Sequence, residues 1–385
     1  MPPVTVRTRG PANIRKTAKK HAAKGATKTL QELYASIAKQ CAEPAPNVVA
    51  EQLREVPVTP FLNFVPENIR DWCHNARNWR SMTKYTMQFP RPAHGTVEGV
   101  FFVLVPKTVK RRVNADKMQR YIHAWFANAV SQAPDHCAAS FRVFLYLTPF
   151  VKKVPEPSGR PLSQANVNTA ATYGCSPGAP NHDIIVYRWE EWFKVMVHES
   201  FHRLGLDDCT NDTTDQAISN HIFSHVPEMS GTPRHMLGVY EAYTETWAEI
   251  VNLLFKTYET GSARAPMKTF RSLLQKEQEH SMIQRKKVES YNKKNGLHYN
   301  SRVKLYSYYV IKQVLLQNTD RFVEWCARVN GRAHVLRKNR QAAAENTRFY
   351  ADLLQPQTNT RQVVTKQVTK GSLRMTCTDL DWFQG

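Results

Sequence analysis

The sequence predicts an α+β fold, with a mixed sheet and a buried helix in its upper half and a mainly helical lower half. Three observations predict it. Apolar runs bounded by turn residues, as strands show, occur at Gly95 to Pro106, Phe141 to Val151 and His182 to Arg188. Helical periodicity alternates with them, at Asp116 to Ser131, Trp189 to Leu204 and Val239 to Phe255. The 385 residues, 42% of them hydrophobic, suffice for a sizeable core.

Along the chain, residues 1 to about 28 hold eight Lys or Arg and no acid, with small residues between them. Such a segment has little to bury and is expected to be a disordered arm. Arg15, Lys16, Lys19 and Lys20 are its candidates for nucleic-acid phosphate contacts or a nuclear address. A basic, acid-poor start also fits a mitochondrial presequence. A short helix is expected at 30–42 and a Pro-rich connection at 43–66. The chain thus divides into an arm and linker (1–56), a region of mixed strands and helices (57–260) and a mainly helical remainder (261–385). Within the second, Asp71 to Tyr85 reads as helix and loop, and Ala165 to Gly174 as an edge strand. In the third, helices are expected at Ala265 to Met282, from Tyr299 or Val303 to Leu316, and at Asp320 to Asn330 and Arg337 to Leu354. A basic loop, Lys286 to Lys304, separates the first two, and a polar tail follows residue 354.

The 53 Lys and Arg against 32 Asp and Glu give a formal charge of +21. That predicts acidic partners, nucleic acid, an anionic membrane surface or an acidic protein, without choosing among them. Seven cysteines without a Cys-x-x-Cys pair predict reduced thiols in a cytosol-like compartment. No apolar run approaches the roughly 18 residues of a transmembrane segment, and the start lacks the apolar core of a secretory signal. The expectation is an intracellular protein, cytoplasmic or nuclear, with virion association and a mitochondrial destination left open.

The chemistry concentrates between Val195 and Asp208, which read VMVHESFHRLGLDD. On a helix, residues four apart share a face, so His198 and His202 can bind one metal ion. Glu199 lies beside them, where the general base of a metal-dependent hydrolase is needed. Glu190 and Glu191 are expected in the first turn of this helix, where its dipole favours negative charge, and Gly205 at its end. A catalytic zinc usually takes three protein ligands. One candidate for the third is Asp208, in an extended His-Glu-x-x-His-x-x-Gly-x-x-Asp spacing, with Met229 or Met236 as a Met-turn. Asp207 and Asp208 also read simply as a helix-exit turn. The other candidate is Glu241, in a row with Glu245 and Glu249 at four-residue intervals. His221 and His225 repeat the histidine spacing without an adjacent Glu and read as structural.

His-Glu-x-x-His followed by a helix bearing Glu-x-x-x-(Asp/Glu) resembles the gluzincin branch of the zincin metallopeptidases. The resemblance implies a zincin-like fold, bound Zn2+, Glu241 as third ligand and Glu245 as the acid that fixes a zinc-binding histidine's tautomer. The second acid here is Glu rather than the commoner Asp, and the register Glu245/Glu249 also fits. Ile184 to Asp208, with Glu241 to Ala248, is similar to uncharacterised peptidases encoded by large viruses. What this implies is a zinc-dependent metallopeptidase acting on a peptide or protein. The alternative is a basic virion-associated or nucleic-acid-binding structural protein that keeps an inactive zincin fold. Tyr240, Tyr243, His225 and His235 are candidates for stabilising an oxyanion.

Overall fold

The computed structural model describes residues 11–91, 95–155, 160–175, 183–207, 220, 238–261, 264–296, 304–339, 342–354 and 371–384, with side chains from residue 22 onward and without that of Ala343. Its strands are β1 (Val49–Gln52), β2 (Trp79–Arg91), β3 (Gly95–Pro106), β4 (Phe141–Tyr146), β5 (Ala170–Thr172) and β6 (Asp183–Val186). They form one mixed sheet in the order β1-β2-β3-β4-β6-β5. β1, β2 and β3 run antiparallel, β3, β4 and β6 run parallel, and β5 closes the edge antiparallel to β6.

Both faces of the sheet are covered, which is why its central strands are continuously apolar in sequence. On one face Val103, Val143, Leu145, Ile184 and Val186 meet the main helical core. On the other, Leu104, Phe144, Tyr146, Ile185 and Tyr187 lie under Phe61, Leu62, Ile69 and Cys73, from the turn Pro60–Phe64 and helix α2 (Glu67–His74). Helix α3 (Ala115–Gln132) connects β3 to β4, and the short α4 (Gln164–Val167) precedes β5. Helix α5 (Trp192–Arg203) leaves β6 and packs beneath the sheet, where Trp125 Nε1 donates to Ser200 Oγ at 2.7 Å. Below it run α6 (Val239–Glu259), α7 (Pro266–Lys294), a π-helical turn (Tyr306–Ile311) leading into α8 (Lys312–Gln317), α9 (Thr319–Val329) and α10 (Ala343–Leu354).

Several expectations are corrected. From residue 11 on, the expected disordered arm and the short helix are one helix, α1 (Pro11–Ala42), while residues 1–10 lie outside the described residues. Ala26, Leu30, Leu33, Ile37 and Cys41 form a stripe along it that is buried against α3, α6 and α9. Burial stabilises by about 1.5–3 kcal/mol for each such Leu or Ile, which anchors the segment despite its basic flanks. The side chains of Arg15, Lys16, Lys19 and Lys20 lie outside the described residues. Trp79–Arg91, expected as loop in part, is the strand β2, whose alternating burial its polar outward residues disguise. The expected basic loop from Lys286 continues α7 as far as Lys294. The expected polar tail carries Leu373, Met375, Leu380 and Trp382 into the core. One hydrophobic cluster therefore runs from Ala26 to Trp382, across all three sequence regions.

Cys137 and Cys175 form a disulfide, which corrects the expectation of reduced thiols at those two positions. They are 38 residues apart and meet through packing at the exit of α5, where Gly205, at φ +62°, passes against Cys137 Sγ. Arg203 fixes the same corner by donating to the carbonyl of Cys137 at 2.9 Å. Among the described residues Cys41, Cys73 and Cys326 are buried free thiols and Cys377 is exposed. No described helix is long and apolar enough to cross a membrane.

Candidate metal centre

Asp183, at the start of β6, is bound to Arg142 of β4 at 2.7 and 2.8 Å and to Thr59 at 2.7 Å. Chain leaving β6 turns at Glu191, whose φ of 60° is left-handed, and enters α5. Glu190 and Glu191 thus precede the first turn rather than occupy it, correcting the expectation of a dipole contact. Glu191 instead accepts from the backbone N–H groups of Met375 and Thr376, both at 2.6 Å, and pairs with Lys152 at 2.7 Å. Burial opposes its ionisation, but Lys152, Lys194 and Arg374 outweigh that and hold its carboxyl at about 2. The C-terminal segment is thereby tied to the start of the motif helix.

His198 and His202, one turn apart on α5, face Glu241 on α6. His198 Nε2 lies 3.1 Å from His202 Nε2 and 3.3 Å from Glu241 Oε2, and His202 Nε2 lies 3.4 Å from the same oxygen. All three residues are buried. The outer nitrogen of each ring is taken: His198 Nδ1 by Glu245 Oε2 at 2.8 Å, His202 Nδ1 by Asp207 Oδ2. A carboxylate on Nδ1 keeps a proton there and turns the Nε2 atom of each ring towards Glu241. Repulsion among acceptors so close together is relieved by a shared cation, either a proton on an imidazole or a metal ion. Four ligands at 2.0–2.1 Å around a tetrahedral zinc lie about 3.3 Å from one another, the spacing found here. The donor set therefore fits Zn2+.

The carboxylates on the histidines are themselves held. Glu245 pairs with the buried Lys194, one turn before His198. Asp207 accepts from Thr244 Oγ1 at 3.0 Å. Burial opposes the charge on Glu241 and Glu245; His202 and His198 for the first, Lys194 and His198 for the second, outweigh it and keep both well below the usual carboxylate range. Glu249 differs, since burial and nearby Glu277 push its carboxyl up to about 8 against the pull of Lys312. The three glutamates thus face different partners: Glu241 faces both Nε2 atoms, Glu245 lies on His198 Nδ1, and Glu249 lies 3.3 Å from Lys312 Nζ. Asp208, Met229, Met236, His221, His225 and His235 lie outside the described residues.

Glu199 is buried beside the cluster, and its carboxyl is raised by burial first and by Glu241 and Glu245 next, with His198 and His202 opposing. A carboxyl poised in that way can take up and release a proton. Tyr308 was not expected. Its hydroxyl donates to Glu241 Oε2 at 3.2 Å, and burial, with Glu241 and Glu199 nearby, holds it well above the ordinary phenol range and hence neutral. It lies in the π-helical turn, an irregularity that often marks functional positions. Tyr243, one of the expected oxyanion candidates, points away, donating to Leu336 O at 3.1 Å. Asp207 could have been found from its place two residues past the helix-ending Gly205; Tyr308 leaves no spacing signal. Compared with protein-family models, curated proteins and solved structures, the chain matches none.

Proposed function

We propose that the chain is a zinc-dependent metallopeptidase of zincin architecture. The observation that carries this reading is the convergence of His198, His202 and Glu241 at 3.1–3.4 Å, with a buried carboxylate on each outer imidazole nitrogen. Random placement of a His-Glu-x-x-His pattern would supply neither carboxylate. Zinc held there supplies Lewis acidity, polarising a carbonyl and acidifying water. Glu199 is the base that takes the proton of the attacking water and passes it to the leaving amine. Glu245 and Asp207 keep the rings in the tautomer that offers Nε2. Tyr308, a neutral donor beside Glu241, is available to the oxygen that gains charge as the carbonyl is attacked. β5, the edge strand among the described residues, packs against α5 and is where an extended peptide can add as a further strand.

The test is metal content together with turnover of a fluorogenic peptide mixture. Glu199→Gln should retain wild-type zinc and lose hydrolysis by a factor of about 10²–10⁴. Undiminished turnover in that variant refutes the mechanism. Wild-type protein that holds zinc but cleaves nothing favours the alternative of an inactive zincin fold with a structural role.

A further inference from the structure

A cavity of about 490 Å³ lies at the N-terminal end of α5, away from His198 and His202. Trp189, Phe150, Trp382, Phe383 and Val109 contribute to its walls, and Glu190 is the carboxylate among its lining residues that no side-chain cation engages at hydrogen-bond distance. None of His198, Glu199, His202 and Glu241 lines it. Its size is within the roughly 300–1,000 Å³ of small-ligand sites.

Its rim is basic. Between Gly99 and Ala115 there are four charged residues, Lys107, Lys110, Arg111 and Arg112, all cations and all exposed. This loop is built. Arg80 donates one guanidinium nitrogen to the carbonyls of Val109, Lys110 and Arg111 at 3.1, 3.3 and 3.0 Å. Asn114 N and Gln384 N tie the loop to the C-terminal segment at 2.8 and 3.0 Å. Arg111 sits over the ring of Phe383 at 4.4 Å, and Phe383 in turn stacks on Trp189 at 5.7 Å. The basic loop thus has a fixed backbone beside the cavity, and its Arg111 touches one of the cavity's aromatic rings.

We propose that this cavity takes a base of single-stranded nucleic acid, with the adjoining phosphates on Lys107, Lys110, Arg111 and Arg112. Aromatic side chains with an arginine alongside accept the flat face of any base, and a row of cations follows its backbone. Glu190 adds an acceptor for the ring and amino N–H groups of a base. A bilayer surface has no ring to place in a cavity, and a phosphopeptide supplies one phosphate where the loop offers four cations. The cavity shares Lys194 with the metal centre, but none of the residues proposed to touch the nucleic acid belongs to that centre or to the N-terminal basic segment.

The test uses the full-length protein and a fluorescein-labelled single strand of about 12 nucleotides containing 5-iodouridine. Anisotropy at about 50 and 200 mM salt gives affinity and its salt slope, and irradiation followed by peptide mass spectrometry gives the contact. Crosslinks are expected at Trp189, Phe383 or Phe150. The triple variant Lys110→Glu/Arg111→Glu/Arg112→Glu, which alters exposed side chains alone, should bind at least about tenfold more weakly, with the slope reduced by about 2. Trp189→Leu should weaken binding by about tenfold while leaving the slope intact. Crosslinks confined to residues 7–28, an unchanged triple variant, or inorganic polyphosphate displacing the strand without any crosslink in the cavity would each overturn the proposal. Failure of Glu199→Gln to lose peptidase activity leaves it untouched.

Discussion

Asp207→Asn isolates what a buried carboxylate does for a zinc-binding histidine. Asp207 is fully buried, and its Oδ2 accepts from both His202 Nδ1 and Thr244 Oγ1. Asparagine keeps the size and one acceptor oxygen but removes the charge, so the fold is retained and the bond to His202 loses its ionic part. Loss of such a partner typically lowers metal affinity 10–100-fold, about 1.4–2.7 kcal/mol. With an acceptor still in place, Asp207→Asn belongs near the tenfold end. Asp207→Ala leaves the imidazole N–H and the threonine hydroxyl without an acceptor, costing about 1–3 kcal/mol for each buried group, and belongs near the hundredfold end. Competition for zinc against a chromophoric chelator measures the affinity, and denaturant unfolding of the metal-free proteins measures the stability. Should folded Asp207→Asn bind zinc as tightly as wild type, the claim that Asp207 sets the His202 tautomer for a metal is wrong.

Lys194→Met removes the cation from a buried pair with Glu245, both nearly inaccessible to water, and should destabilise by about 3–5 kcal/mol in urea unfolding. Adding Glu245→Gln to it should recover a large part of that loss, because the uncompensated charge is then gone; no recovery would mean that packing rather than charge is at stake. The Cys137–Cys175 bridge closes 38 residues of chain, for which loop entropy alone gives about 4 kcal/mol. Cys137→Ser/Cys175→Ser, or reduction of the wild type, should therefore lower the unfolding midpoint, and an unchanged midpoint would show that the bridge constrains nothing. Glu191 titrates at about 2 in the fold, below the ordinary glutamate value of about 4.3, so the stability it contributes is present above that value and disappears as pH falls towards 2. Acid unfolding followed by circular dichroism should be less steep between pH 4 and 2 in Glu191→Gln, and parallel curves would remove Glu191 from the acid response.

Residues four apart on a helix necessarily share a face, so the pairing of His198 with His202 was legible in the sequence by itself, as were α3, α5, α6 and the strands β3, β4 and β6. Each of those elements is buried nearly all round or carries a full apolar stripe, so local pattern and final environment agree. Agreement failed where a segment's partner is remote in sequence. The apolar stripe of α1 is interrupted by lysines that reach solvent, and it becomes a buried face because α3, α6 and α9 arrive to cover it. Leu373 to Trp382 look polar on average, yet their few apolar side chains fill the gap beside α5. The site divides the same way. Three glutamates in a row on α6 are chemically identical in sequence; packing alone gives Glu241 the two Nε2 atoms, Glu245 a histidine and a lysine, and Glu249 a separate ion pair. Asp207 and Tyr308 reach the centre because a left-handed glycine turn and a π-helical turn redirect the chain, and neither turn has a periodicity to read. Sequence determined which residues could hold a metal on one helix, and tertiary structure decided which charges face it, because charge pairing in a low-dielectric core depends on ångström distances that spacing along a chain does not specify.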